Sequence, residues 1–402
     1  MNFLNAAYII LFDKEVVMQT YHFDNPPSRR GSLCYKWDCK PNELPMWIAD
    51  MDFEAAPEIR AALQARLDHG IYGYDDMGEA WYEAYIGWWR DRHSLTMEKE
   101  NLIFSTGVVA SISSLVRKLT TPNENVLLQT PVYNIFFNSV VNNGCRVLES
   151  PLRYDGADWT MDFADLEAKL ADPQTTLMLL CNPHNPVGRI WIREELARVG
   201  ALCRKHHVTV ISDEIHCDLT APGLDYLPFA AVDETCRSLS LTCIAPTKAF
   251  NLAGLHSSAV YAADPVLRHK AWRALNTDEA AEPNTFAAPA AVAAFTRGGP
   301  WLDELRAYVW ENKRLVRSFA ERELPGVRVQ VSDATYLLWV DVSTLTGDVE
   351  DFTRRLRAET GLWVTPGTVY GASGEGFFRM NLACPRSFVE DALGRLKRFL
   401  HG

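Results

Sequence analysis

The sequence predicts an α/β fold, with a mostly parallel sheet in a large domain and a smaller α+β domain after it. Two patterns favour this class. Between residues 100 and 295, short and nearly continuous apolar runs alternate with helical patterns, as in strands buried on both faces of a sheet. From about residue 300 the order changes to helix, strands, helix, short strand and helix, which is typical of an α+β unit.

Strand-like runs in the first of these regions predict a seven-stranded sheet. Ligands of such sheets gather at the carboxyl ends of the strands, so the residues that follow each run are candidates for a site. The predicted strands span residues 101–105, 125–129, 145–149, 175–181, 208–213, 238–244 and 256–261.

The N-terminal part of the chain does not follow this alternation. Residues 3–12 are apolar, but no basic region precedes them and they are too few to span a bilayer. We expect residues 1–17 to be a loosely held extension or an upstream-start artefact. Residues 18–58 are turn-rich and carry tryptophans, so we expect an arm that packs on another domain or subunit.

A chain of 402 residues is too long for one hydrophobic core, and the changes of pattern predict where it divides. Helical spacing is expected before the sheet at residues 57–68 and 79–93, and in the C-terminal part at residues 301–323, 349–359 and 387–400. The predicted divisions are an extension at 1–17, an arm with part of the small domain at 18–58, the large domain at 59–296 and the small domain at 297–402.

Composition excludes several classes of partner. The net charge is −11 and the basic residues are not clustered, which argues against nucleic acid and against an anionic membrane surface. The nine cysteines are scattered without a C-x-x-C pair or a Cys/His spacing typical of zinc, so we predict no metal site. Unpaired cysteines of this kind indicate reduced thiols in a cytoplasmic protein.

One lysine stands out in the predicted large domain. Lys248 follows the run at 238–244 and is surrounded by small and apolar residues. Burial disfavours the charged form of a lysine, so its pKa falls and the free amine can bond an aldehyde, as in pyridoxal phosphate chemistry. The alternative is an ordinary lysine on a solvated loop.

Two more polar residues lie at predicted strand ends. Asn185 belongs to a loop with two prolines and a glycine, where its amide can donate to a ligand oxygen or simply hold a rigid turn. Asp213 ends an apolar run, where its carboxylate needs a cationic partner such as a protonated pyridine nitrogen. It could instead cap the following turn.

Together these residues form a recognisable pattern. Asn-Pro-x-Asn-Pro-x-Gly at residues 182–188, an aspartate 28 residues after Asn185 and a lysine 35 residues further on resemble the fold-type I pyridoxal-phosphate (PLP) enzymes of the aminotransferase class I/II superfamily. The resemblance runs from about residue 20 to the C-terminus. Residues 44–53, 212–218 and 246–255 resemble more narrowly the MalY/PatB branch, the cystathionine β-lyases or C–S lyases.

The resemblance implies a role for each residue near the cofactor ring. Lys248 would bond the PLP aldehyde, Asp213 would pair with the pyridine nitrogen, and Asn185 would contact the ring hydroxyl oxygen. His216 stands where many relatives carry a tyrosine near that oxygen; it can make the same hydrogen bond and would titrate near neutral pH, or it is a core histidine bonded to backbone. Tyr133 matches the aromatic residue that stacks on the ring.

The phosphate needs hydrogen-bond donors, and a helix beginning after the first predicted strand offers backbone amides. The sequence departs from the superfamily here, since Ala245 replaces a common serine and His256 a common arginine. We therefore expect phosphate affinity to depend on other groups. The expected donors are the amides of Gly107, Val108 and Val109, the hydroxyl of Thr247 and, from a neighbouring subunit, Tyr74.

The substrate would be a small amino acid. Arg379 lies in an apolar strand and matches the family's carboxylate-binding arginine; a buried structural ion pair is the alternative. The family's substrate pocket also implies contacts with Ala49, Tyr133 and Asn185. Because sites in this family are shared between subunits, a homodimer is implied.

The implied reaction is an α,β-elimination of L-cystathionine or a related cysteine thioether, giving homocysteine or another thiol, pyruvate and ammonia. Lys248 would remove the Cα proton, and a thiolate is a good leaving group because thiols ionise near pKa ~8.5. The same residues would serve an aminotransferase acting on a neutral or aromatic amino acid. A lyase that also has a regulatory, protein-binding role is a further alternative.

Overall fold

The structure, a computed structural model, describes residues 9–12, 15–18 and 21–402. The α-helices are α1 (Pro57–His69), α2 (Gly78–His93), α3 (Val108–Leu119), α4 (Ile135–Val141), α5 (Phe163–Leu170), α6 (Arg193–Lys205), α7 (Glu234–Ser238), α8 (Pro265–Thr277), α9 (Ala287–Arg297), α10 (Gly299–Glu323), α11 (Val349–Thr360) and α12 (Arg386–His401). The strands are β1 (Ile9–Phe12), β2 (Glu15–Met18), β3 (Leu44–Pro45), β4 (Leu102–Ser105), β5 (Asn125–Leu128), β6 (Arg146–Glu149), β7 (Arg153–Tyr154), β8 (Trp159–Thr160), β9 (Thr175–Cys181), β10 (Thr209–Asp213), β11 (Ser240–Ile244), β12 (Ser258–Tyr261), β13 (Arg328–Val329), β14 (Leu337–Asp341), β15 (Leu362–Trp363), β16 (Thr365–Pro366) and β17 (Phe377–Asn381).

The main sheet has seven strands in the order β4-β12-β11-β10-β9-β5-β6. Strands β11, β10, β9, β5 and β6 run parallel to one another, whereas β12 is antiparallel to both of its neighbours. The predicted α/β fold with a mostly parallel seven-stranded sheet is therefore confirmed. The carboxyl ends of the parallel strands meet at one edge, where the polar residues that follow them come together.

Both faces of the sheet are covered by helices, which explains why its strands are apolar almost throughout. Along β10, Ile211 packs into a cluster with residues of α3 and α8, and Val210 packs into a second cluster with residues of α6. Successive side chains of a strand point to opposite faces, so each strand contributes to both layers of the core. The sheet is thus fixed from both sides.

The C-terminal part forms its own antiparallel sheet in the order β13-β14-β17-β16, together with α10, α11 and α12. The short strand β3 pairs in parallel with β15, so part of the N-terminal arm joins this unit. The domain limits at residues 58 and 296 stay predictions.

Near the N-terminus, β1 and β2 pair as an antiparallel hairpin. Residues 1–8, 13–14 and 19–20 lie outside the described residues, so the expectation that residues 1–17 form an extension stays a prediction. In the described ranges, no helix combines the length and the apolar character that crossing a bilayer requires.

Buried charges hold the N-terminal arm together. The Nζ of Lys36, which is 1% exposed, lies 2.7 Å from Oδ2 of Asp52, and Arg29 Nη1 donates to Oδ1 of the same carboxylate at 3.0 Å. Trp37 Nε1 donates to that Oδ1 at 2.7 Å. We call residues 47–53 the arm segment; these bonds fix its C-terminal half to the earlier part of the arm.

Candidate active site

A cavity of about 160 Å³ lies at the carboxyl ends of the parallel strands. It gathers residues that are more than 150 positions apart in the sequence, and most of the predicted site residues line it. Those predicted residues are Ala49, Gly107, Val108, Val109, Tyr133, Asn185, Asp213, His216, Thr247 and Lys248.

A larger cleft of about 510 Å³ lies between the arm and α12, but its chemistry is less suited to a reaction. Four of its charged side chains pair with one another: Arg29 with Asp52 at 3.0 Å, and Arg395 with Asp391 at 3.0 Å. The smaller cavity, in contrast, holds buried ionisable groups with shifted pKa values, which is typical of active sites.

The predicted lysine lies just after β11 and its side chain is turned into the cavity. Lys248 Nζ donates to the backbone oxygen of Ala49 at 2.6 Å. Burial, together with a smaller effect of the nearby charge of Arg379, lowers the pKa of Lys248 to about 8. A large fraction of this amine is therefore uncharged in mildly alkaline solution, which disfavours the alternative of a solvated loop lysine.

Asp213 ends β10, flanked in the sheet by Cys181 of β9 and Cys243 of β11. One carboxylate oxygen accepts from the backbone N–H of Ile215 at 3.1 Å, so Asp213 does cap the following turn as well as lining the cavity. Burial raises the pKa of Asp213 to about 7. A cationic partner in the cavity would return the carboxylate to its charged form.

Arg379, on β17, lies next to the cavity and is held by neutral groups. Its Nη1 donates to Oδ1 of Asn185 at 3.2 Å and its Nη2 to the backbone oxygen of Trp47 at 3.0 Å. The guanidinium lies over the ring of Tyr370 at 4.9 Å, and its buried Nε has no partner. Among the described residues no carboxylate pairs with Arg379, which disfavours the structural ion pair and leaves a buried cation suited to an incoming carboxylate.

His216 and Tyr133 complete the walls around the lysine. Burial lowers the pKa of His216 to about 3, so the imidazole is neutral at pH 7 and our expectation of a titration near neutral pH is wrong. Its buried Nδ1 has no partner, which disfavours a core histidine bonded to backbone. Burial raises the pKa of Tyr133 to about 12, so its hydroxyl keeps its proton.

At the other end of the cavity, α3 begins at Val108 and presents its first turn. The first amides of a helix have no partner within the helix, so the N–H groups of Val108 and Val109 are available to an anion. Two hydroxyl residues that the sequence analysis missed, Thr106 and Ser257, also line this end. The sequence did offer one signal for Ser257: it directly follows His256, where the superfamily commonly has an arginine.

Within one chain, Tyr74 does not reach the cavity that holds Lys248. Its side chain is fully exposed, with a relative accessibility of 104%, and it is absent from the cavity walls. A contribution of Tyr74 to a neighbouring subunit's site stays a prediction.

A second buried group of possible ligand residues lies elsewhere, at His93, Cys217 and Asp218, whose ligand atoms are within 4.8 Å of one another. The sequence spacing gave no sign of it, because His93 is remote from the other two in the chain. Oδ1 of Asp218 already accepts from His93 Nε2 at 2.9 Å and from Trp88 Nε1 at 2.8 Å. These side chains satisfy one another, and we assign them no ligand.

The chain matches the family model described as aminotransferase class I and II over residues 46–396. It belongs to this family. Cystathionine beta-lyase PatB of Bacillus subtilis (strain 168) is 42% identical to this aminotransferase-family chain over 386 residues, covering 94% of it and 100% of PatB. Protein MalY of Escherichia coli (strain K12) is 32% identical over 384 residues, covering 94% of this chain and 98% of MalY.

Among solved structures, cystalysin from Treponema denticola contains a pyridoxal 5'-phosphate cofactor and superposes with a TM-score of 0.92. It is 30% identical in sequence and covers 95% of this chain and 99% of its own. The resemblance to the class I/II superfamily, and within it to the MalY/PatB branch, is confirmed by these similarities.

The shifted lysine can be tested without any cofactor. In the cofactor-free protein, we expect the rate at which acetic anhydride acetylates Lys248 to rise with a midpoint near pH 8, because burial favours the neutral amine. Peptide mapping by mass spectrometry measures the rate at each pH, and exposed Lys118 provides the internal comparison in the same digest. A midpoint at the value of an unperturbed lysine, ~10.4, would contradict the assignment.

Proposed function

We propose that this chain is a PLP-dependent carbon–sulfur β-lyase that cleaves L-cystathionine or a related cysteine thioether by α,β-elimination. The observation that carries the proposal is that Lys248, whose pKa partial burial lowers to about 8, shares one cavity with Asp213. The similarity to PatB and MalY favours the lyase reaction within the family.

The residues of the cavity fit PLP at each of its polar groups. Asp213 suits the ring nitrogen, because a cation there would compensate a carboxylate whose burial otherwise raises its pKa. The amide of Asn185 and the partnerless Nδ1 of neutral His216 suit the ring hydroxyl oxygen. The α3 amides, Thr247 and Ser257 suit the phosphate.

PLP, when bound, supplies an aldehyde that bonds amines and a ring that stores the electron pair left by a departing proton. The protein supplies orientation and proton transfer. Arg379 would bind the substrate carboxylate through its two terminal nitrogens, while the oxygen of Asn185 and the carbonyl of Trp47 hold the guanidinium in place.

Lys248 would act as the base that removes the Cα proton. An amine with a pKa of about 8 is a sufficient base near neutral pH, and it becomes an ammonium group once the proton has moved. The departing thiolate needs little assistance because thiols ionise near pKa ~8.5. Elimination would release the thiol, and hydrolysis of the remaining aminoacrylate by water would give pyruvate and ammonia.

The reaction itself distinguishes the lyase from an aminotransferase. We expect the PLP-loaded protein to convert L-cystathionine to pyruvate and homocysteine with no added keto acid, measured with lactate dehydrogenase and a thiol reagent. Lys248→Ala is the control and should release neither product, because the base and the covalent link to the cofactor are lost. A product that forms only when a keto acid acceptor is added would favour the aminotransferase.

Arg379→Lys tests the carboxylate site. Lysine keeps the charge but cannot bond both carboxylate oxygens in parallel, and we expect KM for L-cystathionine to rise by about 10- to 150-fold, the equivalent of a lost charge-assisted hydrogen bond of ~1.5–3 kcal/mol.

Arg395→Lys is the matched control for that variant, because Arg395 bonds the backbone oxygens of Asn42 and Thr360 away from the cavity and its replacement should leave KM unchanged. Equal KM values in the two variants would remove Arg379 from the substrate site.

We further propose a homodimer whose sites are shared, in the cytoplasm. Exposed Ile71, Tyr72 and Tyr74 form an apolar stretch of the kind that marks protein interfaces. Tyr74 would reach the phosphate end of the partner's cavity. The cytoplasmic assignment rests on the nine free cysteines, seven of which are buried.

Mixing two inactive variants tests the shared site. Lys248→Ala and Tyr74→Ala homodimers should each have low activity, and a mixed dimer would have one site with both native residues. We therefore expect activity to return when the two proteins are co-refolded, with the dimer confirmed by light scattering. A mixed dimer as inactive as its parents would place Tyr74 outside the site.

A further inference from the structure

The backbone oxygen of Ala49 accepts two hydrogen bonds in the cavity. Lys248 Nζ donates to it at 2.6 Å, and the hydroxyl of Tyr336 donates to it at 3.0 Å. Tyr336 is 1% exposed, and burial raises the pKa of its hydroxyl, which therefore remains a donor. The carbonyl thus fixes Lys248 on one side and is itself fixed by Tyr336 on the other.

The peptides on either side of Ala49 are also held. Asn381 Nδ2 donates to the backbone oxygens of Ile48 at 2.7 Å and Asp50 at 2.6 Å. Asn251, from the loop that follows Lys248, donates to the backbone oxygen of Met51 at 3.1 Å. Asn251 and Asn381 therefore set the direction of the carbonyls on either side of Ala49 in the arm segment. Tyr336 does the same for the carbonyl of Ala49 itself.

Tyr336 is positioned by the preceding loop, residues 332–335. Lys313 Nζ, fully buried, donates to three oxygens of this loop: Ser332 Oγ at 2.8 Å, the Ala334 backbone oxygen at 3.1 Å and the Thr335 backbone oxygen at 2.6 Å. The loop approaches Gly188 so closely that a Cβ there would lie 2.5 Å from Ser332.

Backbone bonds tie the same loop to the main domain. The Ala334 N–H donates to the Gly188 oxygen at 2.8 Å, and the Thr335 N–H donates to the Leu219 oxygen at 2.6 Å. Gly188 ends the Asn-Pro-x-Asn-Pro-x-Gly motif that carries Asn185. Tyr336 is therefore placed relative to the cavity by the motif itself.

We propose that Tyr336 is a positioning residue for the reaction: its hydroxyl orients the Ala49 carbonyl, which holds the Lys248 nitrogen in place whenever that nitrogen is not covalently bonded. This inference rests on the proposed function. Lys248 leaves the carbonyl to bond the aldehyde and returns when a substrate amine takes its place. After Lys248 has taken the Cα proton, the Ala49 oxygen accepts one N–H of the resulting ammonium group.

Tyr336→Phe removes only the hydroxyl, and Tyr308→Phe is the matched control. Tyr308 is also a buried tyrosine with a hydroxyl bonded on both sides, to Asp24 and to the N–H of Arg386, but it does not contact Ala49 or Lys248. Thermal unfolding of both variants measures what the loss of a buried hydroxyl does to stability alone.

The first measurement uses the cofactor-free proteins at pH 8. PLP is added, and the rate at which it becomes attached to Lys248 is measured by borohydride reduction and peptide mapping. We expect Tyr336→Phe to bond PLP about three- to tenfold more slowly than the native protein, since one neutral hydrogen bond orients the nucleophile, and Tyr308→Phe to match the native rate.

The second measurement uses the PLP-loaded proteins with L-cystathionine and with its Cα-deuterated form. We expect kcat for Tyr336→Phe to fall about three- to tenfold with KM changed by less than about twofold, and the deuterium isotope effect on kcat to increase because proton removal becomes slower. A purely structural role would leave the isotope effect unchanged.

The outcomes separate the two proposals. If the native protein attaches no PLP at Lys248, the proposed function is wrong and the role of Tyr336 with it. If the native protein attaches PLP and Tyr336→Phe does so at the same rate, only the role of Tyr336 is overturned. If both Tyr336→Phe and Tyr308→Phe attach PLP more slowly, the positioning role of Tyr336 is likewise overturned. If only Tyr336→Phe is slower, the role is supported. That result would support it even if the protein proves to be an aminotransferase.

Discussion

The burial of the Lys248 amine is the constraint on which the rest of the site depends. A lysine held out of water has a lowered pKa, and this one is further affected by its neighbours: Arg379 disfavours its charge and Asp213 favours it. The three groups come from three separate parts of the chain, and the parallel sheet brings two of them to one edge. In the proposed function, PLP is the partner of Lys248 and Asp213, and the substrate carboxylate is the partner of Arg379.

The arm segment joins the two halves of this site. Trp47 provides the carbonyl that holds Arg379, and Ala49 provides the one that holds Lys248. The segment itself is fixed from outside by the buried Lys36–Asp52 pair and from inside by two asparagines. The two carbonyls that hold Arg379 and Lys248 are therefore only two residues apart in the arm segment.

Much of this arrangement could be predicted from the sequence. The apolar runs identified all seven strands of the main sheet to within two residues, because strands buried on both faces leave a continuous signal. The residues at the ends of those strands, Asn185, Asp213 and Lys248, follow from the same signal combined with the family resemblance. Their meeting at one edge of the sheet follows from the parallel order of the strands that they end.

The remaining features depend on contacts between distant residues that no local pattern encodes. Tyr336 begins an apolar run and has the sequence context of a core residue; only the folded loop 332–335 turns its hydroxyl towards Ala49. The neutral state of His216 follows from how deeply it is buried, which its sequence neighbours do not reveal. The proposed role of Tyr74 depends on how a second subunit would be placed, and no pattern in the sequence of one chain encodes that.

The use of main-chain oxygens at Trp47 and Ala49 has a consequence for how this pocket can change. Every amino acid carries the same carbonyl, so a mutation at Ala49, which lines the cavity, alters the shape of the wall while the acceptors for the guanidinium and the amine remain. New substrate preferences are therefore accessible here by ordinary genetic variation, without first dismantling the machinery that recognises an amino acid.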